Sequence, residues 1–431
     1  MTESKIQGIE ISASEFENTG SRVKSLRDIH ALLQELSEQD TSRLLSGLLS
    51  CGVLLRASDL HIEPEESEVV LRLRLDGILH EAGRLSPAVY APLLSRIKLK
   101  AGIKLNIENK PQDGRITFSA GDREIEIRVS TLPATHGEAL VLRFLDPSSL
   151  SSLKDLGLRP DLFELFSKEI SRPHGMVIVT GPTGSGKTTT LYAFLQEVRK
   201  PELKIITIED PVEYRLEGVS QTQVHPEKGY DFASGLRSIV RQDPDVILVG
   251  EIRDGETAGI ALQAALTGHL VFSTLHTNDA AGAAPRLESL GASPSNIAAA
   301  VNIIIAQRLV RKVCQACVKL ESDPGKERKI LDALKQLPAA LQRDIPKSLR
   351  VPIAQGCQDC NFTGYKGRTG IYEAIPISAS VEKAIRASAP ASELETGAVS
   401  QGMVRMYQDG LLKVVVHITT LEEVERVVEA P

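Results

Sequence analysis

The pattern of apolar and polar positions changes character several times along the chain. Residues 1–40 are polar, with one short helical pattern in "LRDIHALLQELSEQ". From Thr41, "TSRLLSGLLSCGVLLR" spaces its apolar residues at helical intervals behind a threonine suited to capping a helix. Strand patterns follow. "DLHI" alternates, and "VVLRLRLDGILHEAG" alternates on both sides of Asp76-Gly77, a dipeptide that favours a tight hairpin turn. "GRITFSAGDREIEIRVST" repeats this arrangement around Gly121-Asp122. Residues 41–145 therefore predict a small α+β domain. The serine-rich stretch 146–158, "DPSSLSSLKDLGL", predicts a linker. In 159–431 the apolar runs "MVIVT", "KIITI", "DVILV" and "HLVFSTL" alternate with helical stretches. Such alternation predicts a mainly parallel sheet covered on both faces. "IAAAVNIIIAQRLV" predicts a buried helix, and residues 376–431 predict further helices without assignable chemistry.

Composition narrows the function only slightly. The 431 residues suffice for two or three domains, and 42% hydrophobic with 25% charged residues is ordinary for a globular protein. A net charge of -6 gives no whole-chain argument for nucleic-acid binding. No basic-then-apolar leader is legible, and no apolar run reaches the roughly 18 residues of a membrane span. The expectation is a cytoplasmic protein that meets the membrane only through partners. Disulfides are rare in that compartment, so the five cysteines need another explanation.

The stretch Gly181, Pro182, Thr183, Gly184, Ser185, Gly186, Lys187, Thr188 fits G-x-x-x-x-G-K-[ST], between an apolar strand and a helix that continues through Thr189. Its glycines let backbone N–H groups turn inward around phosphate oxygens, and the helix N-terminus adds dipole charge. Lys187 is expected at the β- and γ-phosphates and Thr188 at Mg²⁺. Ligands of open parallel sheets sit beyond the carboxyl ends of strands. "KIITI" is followed by an acidic loop ending in Glu213, and "DVILV" by Glu251. Glu251 suits the magnesium shell, and Glu213, further along its loop, suits activation of the attacking water. His269 and His276 bracket one strand, roughly 23 Å apart at about 3.3 Å per residue. His276, at the carboxyl end, is the expected γ-phosphate contact; His269 is expected to be structural.

Arg237 and Arg241 are i,i+4 on a predicted helix, hence on one face. A two-residue turn at Gly121-Asp122 would pair Arg115 with Arg128 directly across a hairpin. Like charges so placed are destabilising; either Glu126 neutralises part of this and the pair is ordinary surface charge, or the pair awaits an anion, a phosphate. Asp59, His61 and Glu63 share one strand face and could imitate a metal site, although polar alternation explains them equally. Cys314 and Cys317, with Cys357 and Cys360, form two C-x-x-C pairs suited to a closed tetrahedral structural zinc site. Cys51 lies in an apolar helix and reads as a core residue.

The chain resembles the ATPases of type II secretion and type IV pilus assembly, from about Arg56 to Glu423. The resemblance is carried by "ASDLHIEP", "KPQDGRI", "RVSTLP", "GPTGSGKTTTLY", "TIEDPVEY", "LRSIVRQDPDVILVGEIRD", "TGHLVFSTLHTND", "QRLVRKVCQAC", "CQDC", "GYKGRTGIYE" and "TTLEEV". It implies an α/β architecture: a RecA-like P-loop NTPase domain preceded by a small PAS-like domain, with a tetracysteine zinc insertion at 313–372. It also implies a homo-hexamer coupled to an inner-membrane platform protein, using ATP, Mg²⁺ and structural Zn²⁺. By motif, Glu213 becomes the catalytic base, Glu251 the Walker B acid and His276 a phosphate contact. Arg115, Arg128, Arg237 and Arg241 become basic residues completing the nucleotide site. The zinc insertion is typical of assembly motors rather than retraction motors. The region before Thr41 is shorter than the separate N-terminal domain most members carry, and His417 stands where glycine is expected. Alternatives are a pilus-retraction motor or a nucleotide-switched nucleic-acid-binding zinc protein, although the insertion lacks interleaved aromatic and basic positions.

Overall fold

The computed structural model describes residues 8–37, 40–121, 123–146, 151–343 and 345–430. They divide into two compact units. The first comprises Met1–Ser149, Cys314–Val318 and Ala354–Gly367; the second holds Leu150–Val313, Lys319–Ile353 and Arg368–Pro431.

The first unit begins with β1 (Ile9–Ile11), α1 (Ala13–Arg22), α2 (Leu26–Ser37) and α3 (Thr41–Leu54). It continues through β2 (Asp59–Pro64), β3 (Val69–Leu75), β4 (Ile78–Leu85), α4 (Pro87–Lys100), β5 (Gln112–Ala120), β6 (Arg123–Ala134) and β7 (Gly137–Leu145). The seven strands form one sheet in the order β1-β5-β6-β7-β2-β3-β4. Every neighbour is antiparallel except β1 beside β5. Strand alternation sends Leu60, Ile62, Leu71, Ile116, Phe118, Ile127, Leu140 and Leu142 into a core closed by Leu45 and Leu49 of α3. Asp76 and Gly77 turn β3 into β4 with φ of 49° and 87°, the positive values that a tight hairpin requires. Ala120 pairs with Arg123, as a two-residue turn demands, although Asp122 lies outside the described residues.

The polar first forty residues carry more order than their pattern suggests. Ser12 caps α1 in a capping box with Glu15, and Ile29, Leu32 and Leu33 of α2 are buried in the first core.

The second unit contains α5 (Pro160–Ile170), β8 (Gly175–Thr180), α6 (Lys187–Val198), β9 (Ile205–Glu209), β10 (Ser220–Gln223), α7 (Phe232–Val240), β11 (Val246–Val249), α8 (Gly255–Leu266) and β12 (Leu270–Leu275). It continues with α9 (Ala283–Ser289), α10 (Pro294–Ala300), β13 (Val301–Val313), β14 (Lys319–Glu321), α11 (Pro324–Leu334), α12 (Ala339–Gln342) and β15 (Val351–Ile353). The long strand β16 (Tyr365–Pro376) precedes α13 (Ala379–Arg386), α14 (Ala391–Ser400), α15 (Met406–Val415) and α16 (Leu421–Val427). Its seven-stranded sheet runs β10-β9-β11-β12-β8-β13-β16, and each adjacent pair from β10 as far as β13 is parallel. Successive residues of each central strand feed opposite cores. Met176, Ile178, Ile247, Val249 and Ile304 enter one, and Val177, Val179, Val246, Leu248 and Ile305 the other. This two-sided burial explains why those strands read as unbroken apolar runs.

One expectation changes. The run "IAAAVNIIIAQRLV" is not one helix: α10 ends at Ala300 and the remainder is β13. A strand buried on both faces loses the alternation that would reveal it, and its isoleucines and valines favour the pleated form. Within the serine-rich 146–158, Leu153 and Leu156 form a 3₁₀ turn buried in the second unit's core; residues 147–150 lie outside the described residues. Of the interval 313–372, β14 and β15 form a separate antiparallel ribbon. In the same interval, Ile330 and Leu334 of α11 join the second unit's core, and β16 begins at Tyr365 as an edge of the main sheet.

Candidate active site

The phosphate loop leaves β8 at Thr180 and enters α6 at Lys187. Gly181, Gly184 and Gly186 have φ of 147°, 79° and 88°. At Gly181 a Cβ would sit 2.5 Å from the Gln307 carbonyl oxygen, so no side chain fits. Ser185 is buried; Pro182, Gly186 and Thr189 are half-buried; Thr183, Gly184 and Thr188 face solvent. Lys187 Nζ donates to the carbonyls of Gly181 (2.8 Å) and Pro182 (3.1 Å). Burial lowers its pKa, and the Glu251 carboxylate opposes that shift.

Because β11, β12 and β8 lie side by side and parallel, their carboxyl ends converge. Glu251 follows β11 and His276 follows β12. One carboxylate oxygen of Glu251 accepts from Arg253 Nη2 (2.5 Å), and the other lies 3.3 Å from His276 Nε2. The His276 turn is fastened to β8, since the Thr277 amide donates to Thr180 Oγ1 at 2.9 Å. Lys187, Glu251 and His276 thus share one neighbourhood. Glu213 is half-buried on the loop that follows β9.

The other expected residues are placed less centrally. Arg237 pairs with Glu256 of α8, and Arg241 Nη2 donates to Ser238 Oγ at 3.3 Å. Among the described residues neither is bonded to the phosphate loop or to Glu251. In the first unit Arg115 does pair with Arg128. The same cross-strand row continues through Arg143 on β7, Asp59 on β2 and Arg74 on β3. Glu126 lies 3.4 Å from Arg115 Nη1 and 4.0 Å from Arg128 Nε. Asp59 accepts from Arg143 Nε at 2.9 Å and lies 3.2 Å from Arg74 Nε. Burial would raise its pKa, but the Arg143 guanidinium and the Ser58 hydroxyl outweigh this and hold it below the usual carboxylate range. The metal-like facet is therefore an ion-pair network, for Glu63 likewise meets Arg72 at 2.8 Å. His269 is structural: its Nδ1 lies 3.0 Å from the Ala264 carbonyl. Cys51 is buried in α3, and burial pushes its thiol up to about 12.

The sulfurs of Cys314, Cys317, Cys357 and Cys360 all lie within 4.8 Å of one another, the one cluster among the described residues able to hold a metal. Cys314–Cys357, Cys317–Cys360 and Cys357–Cys360 are each separated by 3.8 Å. Tetrahedral Zn–S bonds of about 2.3 Å would set neighbouring sulfurs roughly that far apart. Cys360 Sγ also accepts from the amides of Cys357 (3.1 Å) and Gly364 (3.2 Å). The four residues fit a structural zinc ion.

Three participants stand inside the quoted motifs without a role that the sequence reading assigned to them. Gln307, fully buried, donates to the Ser185 carbonyl at 2.6 Å and braces the phosphate loop. Arg253 occupies the Glu251 carboxylate. Glu209 lies buried at the end of β9. An arginine two residues after an acid and a glutamate among several acids are ordinary in sequence, and only the fold distinguishes them.

Residues 34–426 match the family model described as type II/IV secretion system protein. The type IV pilus assembly ATPase PilB of Thermus thermophilus is 42% identical over 90% of this chain, which spans only 43% of that protein's length. The type II secretion system ATPase E of Vibrio cholerae is 43% identical over 92% of the chain and 77% of its own length. Among solved structures, the Legionella pneumophila ATPase DotB superposes with a TM-score of 0.64 at 22% identity, covering 89% of this chain and 95% of that one. The pilus retraction motor PilT with bound ADP gives 0.59 at 26% identity, covering 90% and 97%. The fold is thus that of the RecA-like secretion ATPases, and the chain belongs to the type II/IV secretion system protein family.

Proposed function

We propose that the chain is a Mg²⁺-dependent ATP hydrolase that drives pilin or pseudopilin assembly in a type II secretion or type IV pilus machine. The observation that carries this reading is the meeting of Lys187, Glu251 and His276 where three parallel strands end beside the phosphate loop. Lys187 exchanges its two loop carbonyls for the β- and γ-phosphate oxygens, and the backbone amides of 181–188 cradle the same charge. His276 contacts the γ-phosphate. Glu213 accepts a proton from the attacking water. Mg²⁺, held by Thr188 and the Glu251 shell, would neutralise developing phosphate charge.

The arginine row at Arg115 and Arg128 takes up nucleotide phosphate, as planar guanidiniums suit, and Arg237 and Arg241 add basic charge after exchanging their present partners. Zinc on the four cysteines is structural, because no coordination position remains for water. The tetracysteine set favours an assembly motor over a retraction motor. A homo-hexamer docked on an inner-membrane platform protein from the cytoplasmic side completes the proposal; no helix among the described residues is long and apolar enough to cross a membrane.

The deciding experiment is Glu213→Gln. Nucleotide should still bind with affinity near that of the parent, while phosphate release falls by about 10²–10⁴-fold, the range of general acid–base contributions. Undiminished turnover would remove Glu213 from this role.

A further inference from the structure

Glu209 is 3% exposed, yet its carboxylate belongs to no metal or phosphate role assigned above. Three donors converge on it. The Tyr192 hydroxyl donates to one oxygen. Thr207 Oγ1 (2.5 Å) and Gln221 Nε2 (3.2 Å) donate to the other. Each of these partners leads somewhere. Gln221 Nε2 also donates to the Tyr214 carbonyl at 3.0 Å, and its Oε1 accepts from the Leu216 amide at 2.7 Å. That side chain therefore clasps the backbone immediately after Glu213. Tyr192 belongs to α6, the helix opened by Lys187 and Thr188. Its ring meets Tyr214 edge-on at 6.3 Å between centroids, and the amides of Tyr214 and Glu213 face its hydroxyl. Burial raises the Glu209 pKa despite its donors, and the nearby Glu213 charge adds to the rise.

We infer that Glu209, with Tyr192 and Gln221, positions the Glu213 loop against the phosphate-loop helix, so that the water-activating carboxylate keeps a fixed place relative to Lys187. The inference rests on Glu213 acting as base. A buried carboxylate bonded to one helix and, through one glutamine, to one loop transmits any displacement between them. A side chain needed only for packing would not require three donors on one buried carboxyl group.

The test uses Tyr192→Phe and Gln221→Ala in the chain of residues 1–431, because Glu209→Gln removes a buried acceptor and can unfold the unit. Each variant should melt as a folded protein. Each should lower kcat by about 10–100-fold, the cost of a small misplacement of a reacting group, with KM for ATP within about twofold. In a Glu213→Gln background, adding Gln221→Ala should cost nothing further, since both changes then act through one group. Parental kcat in both single variants would overturn the inference, and so would an undiminished loss in the Glu213→Gln background. If Glu213→Gln itself retains turnover while Gln221→Ala does not, the base assignment falls and the loop's importance attaches to another residue.

Discussion

At the scale of single residues, the chain separates charges that do chemistry from charges that hold. Glu423 is the clearest of the second kind. It is 1% exposed and accepts from the Arg311 amide (3.1 Å), Arg311 Nε (3.0 Å) and Nη2 (2.8 Å), and Arg426. Burial raises its pKa, but the Arg426 and Arg311 guanidiniums outweigh burial and leave it lowered. Because the folded value lies below the unfolded one, this contribution is complete above the ordinary value of 4.5 and disappears as pH falls through the lowered folded value. Glu423→Gln should cost about 3–5 kcal/mol near neutral pH, as expected when a buried pair loses one partner. Denaturant unfolding at pH 7 and at pH 3 checks this, and the variant's deficit should shrink at the lower pH. In sequence, Lys187, Glu251 and His276 were legible because each follows an apolar strand at a position that fixes which end of the sheet it occupies. Glu209 was not, for its meaning depends on Tyr192 and Gln221, which the fold alone brings to it.

At the scale of elements, hairpins were legible wherever turn chemistry set the register. Asp76-Gly77 fixes a two-residue turn, and the second hairpin keeps the expected register from Ala120 opposite Arg123 down to Arg115 opposite Arg128. The extension of that row to Arg143, Asp59 and Arg74 was hidden, because β2 reaches β7 across four intervening strands, β3 to β6, and α4. Arg115→Ala and Arg128→Ala should each reduce steady-state ATP turnover at least tenfold, scaled to the loss of a charged contact of about 1.5–3 kcal/mol. Circular dichroism and melting should remain close to the parent, and full turnover in both variants would leave the arginines as surface charge. Strand β13 shows the opposite lesson. Burial on both faces erased its period, and its pairing with β8 shows the strand form that its isoleucines and valines favour. Short apolar runs of four to six residues still read as the buried strands β8, β9, β11 and β12; the longer run through α10 and β13 did not, because length no longer separated helix from strand.

At the scale of the whole molecule, each unit draws on distant parts of the chain. The cysteine cluster belongs by its contacts to the first unit. Asn361, next to Cys360, accepts from the Leu26 amide at 2.9 Å at the start of α2. Phe362 lies under the Arg27 guanidinium at 3.9 Å, and the Gly367 amide donates to Asp76 at 2.8 Å. Cys317→Ser should therefore lose bound zinc by elemental analysis and speed hydrogen exchange at the α2 N-terminus, while exchange in β8 and β12 stays slow. Protection of α2 unchanged after zinc loss would separate the two. During synthesis, the stretch that caps α2 emerges roughly two hundred residues after β7, or about ten to forty seconds at ribosomal rates. For that interval α2 keeps only its local cap, the Lys24 and Ser25 amides on Asp28, and its Leu26 amide turns to water until Asn361 arrives to accept it.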